Sequence, residues 1–82
     1  MYCVYILRSG KSNKFYVGCT NNFDRRLKEH NSGKSRYTRN KGPWLAEHRK
    51  EFITLREARQ REKQIKSYKG GNAFKKLINM GR

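Results

Sequence analysis

The residues Tyr2 to Leu7 (YCVYIL) form an almost uninterrupted apolar run rich in β-formers. Such a run predicts a central strand covered on both faces. Phe15 to Cys19 (FYVGC) is a second run of the same kind. Between them RSGKSNK is polar and holds Gly10 and Asn13, so the two runs are expected to pair as an antiparallel hairpin with a moderately long loop. Tyr5 and Tyr16 then stand on neighbouring strands.

The period changes after Gly18, which is read as the end of the second strand. Phe23, Leu27 and His30 recur at helical spacing, Thr20, Asn21 or Asn22 can cap the start, and Asn31-Ser32-Gly33 supplies a stop. A helix is expected from about Phe23 to Asn31. Residues 33–43 (GKSRYTRNKGP) are basic and polar and end in Gly-Pro, which marks a loop.

Trp44 to Phe52 reads as an edge strand with poor alternation, because Glu47, His48, Arg49, Lys50 and Glu51 fall together. Thr54 and Glu57 have capping-box spacing, and a helix-forming run continues to Tyr68 before Gly70-Gly71. Asn72 can cap a last short helix whose Phe74, Leu77 and Ile78 close over the sheet. The order is ββαβαα, an α+β arrangement in one domain across residues 1–82.

Charge sharpens the picture. Lys and Arg number 21 against 6 Asp and Glu, a formal charge of +15. That density exceeds what solubility needs and calls for a polyanionic partner. No segment is long or apolar enough to span a bilayer, and no amphipathic stretch has the bulky face of a surface anchor, so nucleic acid is the expected partner and membrane is not. The N-terminus MYCVYILRSG lacks the basic and then apolar regions of a secretory signal, so the expected location is the cytoplasm. Cys3 and Cys19 are then reduced, and without CxxC spacing they make neither a disulfide framework nor a zinc site.

The later helix contains a local conflict. Leu55, Ala58 and Ile65 define an inward face, and Glu62 lies on it, four after Ala58 and three before Ile65. An inward carboxylate is costly unless it meets a cation such as Arg26, a metal or a hydrogen-bond donor, or reaches water at the stripe's edge. In the first helix Arg26 and His30 are four apart and share a face near the hairpin end where Tyr16 emerges. Singly these residues read as a basic surface, a polar contact and a core aromatic.

Together they resemble a known family. Cys3-Val4-Tyr5 and, after ten residues, Tyr16-Val17-Gly18 resemble the two-part signature of the GIY-YIG nucleases. The resemblance covers essentially the whole chain and is closest to small stand-alone members. It implies a three-stranded antiparallel sheet flanked by helices and an endonuclease that hydrolyses DNA phosphodiesters with one divalent metal, Mg²⁺ or Mn²⁺. No small-molecule cofactor is implied, and the chain is expected to act as a monomer or weak dimer.

By position, the resemblance makes Tyr5 and Tyr16 the two motif tyrosines, Arg26 the essential arginine, His30 a frequent companion and Glu62 the metal ligand. Asn72 is the nearest candidate for a late site asparagine. Cys3 stands where the signature has glycine.

These roles suit phosphodiester hydrolysis, which needs a deprotonated water and an electrophilic clamp. Arg26 would grip the phosphate and Tyr16 would accept or relay the water's proton, while Tyr5 and His30 orient, with His30 the second candidate for general base. Gly18 is expected to permit a close turn between strand and helix. Lys34, Arg36, Tyr37, Arg39 and Lys41 form a basic stretch suited to phosphate contacts and base stacking. The competing readings are a non-catalytic nucleic-acid-binding module on the same fold and a small basic ribosome-associated protein.

Overall fold

The computed structural model describes residues 1–12, 14–34 and 42–79, and residue 80 by its backbone alone. Its elements are β1 (Tyr2–Ser9), β2 (Phe15–Thr20), α1 (Phe23–Asn31), β3 (Trp44–Phe52), α2 (Leu55–Ser67) and α3 (Asn72–Met80). Asn13 and four members of the expected basic stretch, Arg36, Tyr37, Arg39 and Lys41, lie outside the described residues.

The strands form one antiparallel sheet in the order β2-β1-β3. β1 is central and buries Cys3, Val4, Tyr5, Ile6, Leu7 and Ser9, which is why its apolar run has no polar alternation. Val4 and Ile6 point to the face covered by α2 and α3, where they pack with Ala58, Ile65, Phe74, Leu77 and Ile78. Cys3, Tyr5 and Leu7 point the other way, with Trp44, and meet Tyr16 from β2 and Phe23 and Leu27 from α1. The expected α+β fold, a three-stranded antiparallel sheet flanked by helices, is the fold observed.

Local chemistry sets the helix ends. Asn22 caps α1, its Oδ1 accepting from the Arg25 amide at 3.1 Å, and Thr20 accepts from the Asn22 amide at 3.1 Å. Gly33, at φ 83°, turns the chain out of the helix. Asn31 then reaches across to the first residue of β3: its Oδ1 accepts from the Trp44 amide at 2.6 Å and its Nδ2 donates to the Trp44 carbonyl at 3.3 Å. Thr54 caps α2, accepting from the Glu57 amide at 3.2 Å and donating to the Glu57 carboxylate at 2.9 Å.

Three sequence expectations are corrected, and the poor alternation of the expected edge strand is explained. Gly18 does not end β2, which continues through Cys19 and Thr20; Gly18 pairs with Tyr5 inside the ladder. Leu55 is 38% exposed because it sits in the first turn of α2, so the inward face begins at Ala58. Asn72 is not the cap of α3: the carbonyl of Gly71 accepts from the Lys75 amide, which makes Asn72 the first helical residue. The poor alternation of β3 reflects a register shift, since Ile6 pairs with His48 and Leu7 with Ala46, leaving Glu47 as the extra residue. Glu47 is buried and its carboxylate accepts from Arg8 on β1.

Candidate active site

The site is built outward from Gly18. Tyr5 on β1 pairs directly with it, and a Cβ there would stand 2.6 Å from Tyr5 Cζ and 3.0 Å from Tyr16 Cε1. The missing side chain is therefore the space into which the Tyr5 ring leans. Tyr16, two residues earlier, falls on the same face of β2, and its ring centroid is 6.3 Å from that of Tyr5.

α1 closes over this pair. His30 lies 4.8 Å from Tyr16 and 6.0 Å from Tyr5 by ring centroid, and Phe23 meets the Tyr5 ring edge-on at 5.4 Å. The Tyr5 hydroxyl is 3.0 Å from His30 Nε2. Both side chains are almost completely buried.

Burial pushes the His30 pKa down to about 4, and the nearby Arg26 charge adds to the effect. The imidazole is neutral at pH 7. Burial likewise raises the Tyr5 phenol well above its ordinary range; the neighbouring Tyr16 and Glu62 act in the same direction, while Arg26 opposes them. A protonated phenol beside a neutral imidazole fixes the direction of the bond: Tyr5 O–H donates and His30 Nε2 accepts, so we assign the imidazole proton to Nδ1.

Arg26, one turn before His30, lies close enough to the Tyr5 and Tyr16 hydroxyls to interact with both electrostatically. Burial alone would lower its pKa, but those hydroxyls and Glu29 outweigh it and hold the guanidinium charged. Glu29 Oε1 accepts from Arg26 Nη1 at 3.1 Å. Arg26 remains about one-third exposed and keeps donors facing solvent.

Glu62 comes from α2 on the other face of the sheet. Its side chain is 21% exposed and pairs with Lys66 Nζ at 2.9 Å, one turn along the same helix, rather than with Arg26. Burial raises the pKa values of Cys19 on β2 and of Tyr5, and the Glu62 charge adds to both effects. No group of three or more His, Cys, Asp or Glu side chains gathers as a metal cage among the described residues. A lone, partly exposed carboxylate fits Mg²⁺, which keeps most of its waters and takes one or two protein oxygens alongside substrate phosphate.

The structure thus brings Tyr5, Tyr16, Arg26 and His30 into one cluster and sets Glu62 within electrostatic reach. Asn72 is exposed at the start of α3, a helix that packs on the opposite face of the sheet from that cluster. Lys34 is exposed just past the end of α1. Phe23, read from sequence only as an apolar position of the helix, also shapes the site, as do Glu29 and Lys66, which were not singled out. The two ion pairs had a readable signal, since Glu29 stands three after Arg26 and Lys66 four after Glu62.

A three-stranded sheet with a tyrosine pair at a strand glycine and an arginine-histidine helix above it defines a class, and sequence comparison identifies it. Residues 1–75 match the model of the GIY-YIG catalytic domain. The chain belongs to the GIY-YIG family. It is 45% identical over 64 residues to the UPF0213 protein of Oceanobacillus iheyensis, covering 77% of this chain and 73% of that one. It is 43% identical over 67 residues to the UPF0213 protein of Clostridium perfringens, covering 80% and 71%. The solution NMR structure of the UPF0213 protein of Bacillus halodurans superposes with a TM-score of 0.61 at 34% identity, over 98% of this chain and 85% of that one. No helix among the described residues is long and apolar enough to cross a membrane.

Proposed function

We propose that this chain is a divalent-metal-dependent endonuclease that hydrolyses DNA phosphodiesters with the Tyr5, Tyr16, Arg26 and His30 cluster and with Glu62. The observation that carries this reading is the charged, part-exposed Arg26 beside two phenol oxygens and a buried neutral imidazole. Family membership supports it independently.

Arg26 receives the phosphate, because its free N–H donors match two phosphate oxygens in a fork that a lysine cannot reproduce. Tyr16, more exposed than Tyr5, takes or relays the proton of the attacking water. Tyr5 keeps its own proton, donates it in the bond to His30 and so holds the imidazole in one orientation. His30 is poorly placed as a base while Nε2 accepts from Tyr5. Glu62 would hold a Mg²⁺ or Mn²⁺ ion, which would supply Lewis-acid stabilisation of the developing phosphate charge. The chain would work on DNA in the cytoplasm, as a monomer or weak dimer, without a small-molecule cofactor.

One observation favours a second reading. The Glu62–Lys66 pair satisfies the carboxylate without a metal, as in a non-catalytic nucleic-acid-binding module. Nicking of supercoiled plasmid with Mg²⁺, Mn²⁺ or EDTA separates the two. Metal-dependent nicking that disappears in Glu62→Ala and Arg26→Ala, with DNA binding kept, is the expected result. Salt-sensitive binding with no cleavage under either metal would leave the binding module.

A further inference from the structure

β2 is an edge strand, and a groove of about 510 Å³ runs beside it, walled by Phe15, Val17, Ile65 and Phe74 with Lys66 and Lys69 at its rim. A second hollow of about 370 Å³ shares Phe15 and Phe74 with it and reaches Lys75. No acidic residue lines either space among the described residues.

Phe15 is the unusual member. It is 42% exposed in a chain of mean hydropathy −1.15, and it is held edge-to-face against Phe74 with ring centroids 5.2 Å apart. An aromatic ring fixed by one partner and open to solvent is a stacking platform. The lysines ask for an anion and the rings for a flat apolar group, and a nucleotide joins both in one unit.

Phe15 and Tyr16 are successive residues of this edge strand, so the groove and the Tyr5–His30 cluster lie on its two faces. Tyr16 lines it while its ring belongs to the Tyr5–His30 cluster, and Lys66 lines it while pairing with Glu62. A strand that crosses the β2 edge from a phosphate on Arg26 could lay a flanking base on Phe15.

From these features we infer that the Phe15–Phe74 groove is a base-binding subsite for an unpaired nucleotide next to the scissile phosphate. A base paired and stacked inside a duplex offers no free face to Phe15, so the subsite selects single-stranded or frayed DNA over intact duplex. The inference rests on the nuclease reading for its placement, and its test does not depend on cleavage.

Binding of a labelled oligothymidine strand and of a labelled blunt duplex is measured by fluorescence anisotropy in EDTA, for wild type, Phe15→Ala and Phe15→Trp. The expectation for Phe15→Ala is single-strand binding weaker by about fivefold to thirtyfold, with duplex binding within about twofold. Phe15→Trp should keep single-strand affinity and show quenching of the introduced indole when the strand binds. Equal losses on both DNAs, or no loss on either, would overturn the subsite, as would an introduced indole that stays unquenched in a Phe15→Trp variant that still binds the strand. Cleavage is scored separately with metal. Selective Phe15 dependence without any cleavage would defeat the nuclease reading alone, whereas cleavage without Phe15 dependence would defeat the subsite alone.

Discussion

Gly18 and Tyr5 are one feature divided between two strands. A methyl group at position 18 would fall against the Tyr5 ring and crowd Tyr16, and the backbone there has no need of a positive φ. Gly18→Ala should therefore cost about 1–3 kcal/mol through overpacking and should misplace both phenols. A lowered urea midpoint together with lost nicking is expected, and an unchanged midpoint would contradict the packing. Tyr5→Phe removes the donor to a buried imidazole nitrogen and is expected to cost about 1–3 kcal/mol, read from the same denaturation curve.

His30 gives this site a pH signature. The unfolded imidazole takes its proton near the ordinary value of 6.5 and the folded one only near 4. Between these values the unfolded state holds the extra proton, so stability is full above pH 6.5 and is lost as pH falls toward 4. His48, also lowered by burial and then by Arg61 and Lys50, acts in the same direction. Urea midpoints for wild type and His30→Gln at pH 7 and pH 5 should converge at the lower pH, and parallel curves would count against a buried neutral imidazole.

Much of this scale was legible beforehand. The order and spacing of Tyr5, Tyr16, Arg26, His30 and Glu62 can be read along the chain, whereas the reason for Gly18 cannot. Its constraint comes from the pairing register, a relation between β1 and β2 that neither strand states alone.

At the scale of elements, each helix and strand carried its own signal, and the six elements observed are the six expected. The errors sit at their ends and irregularities. Leu55 continues the apolar stripe of α2 by spacing, but the first turn is exposed. Glu47 spoils the alternation of β3 because it is the extra residue where the register shifts, and the cation that makes its burial tolerable, Arg8, is on another strand. Asn72 has the chemistry of a cap, yet Gly71 occupies the capping position. The Thr54 cap was legible and invites a test: Thr54→Ala should remove about 1 kcal/mol from the helix that carries Glu62, visible as a lower melting temperature.

Across the whole molecule, a charge of +15 on 82 residues makes ionic strength the natural variable. If about five phosphates are neutralised, raising monovalent salt from about 50 to 200 mM should weaken duplex binding by roughly 500-fold. Affinity that hardly moves would argue that the basic surface does not meet the backbone. Lys34 is exposed beside the cluster's helix, where a phosphate contact would not disturb the core.

The two bonds between Asn31 and Trp44 have a consequence for how this fold can diversify. They join the end of α1 to the start of β3, so the sheet and the phenol cluster are anchored on either side of the segment between them. Once such a junction is fastened, the entropic toll of extending the chain it encloses grows only logarithmically, by about 0.6 kcal/mol per doubling of length. Lengthening the connection between Asn31 and Trp44 by a few residues should therefore lower the melting temperature only slightly, and a large drop would contradict this anchoring.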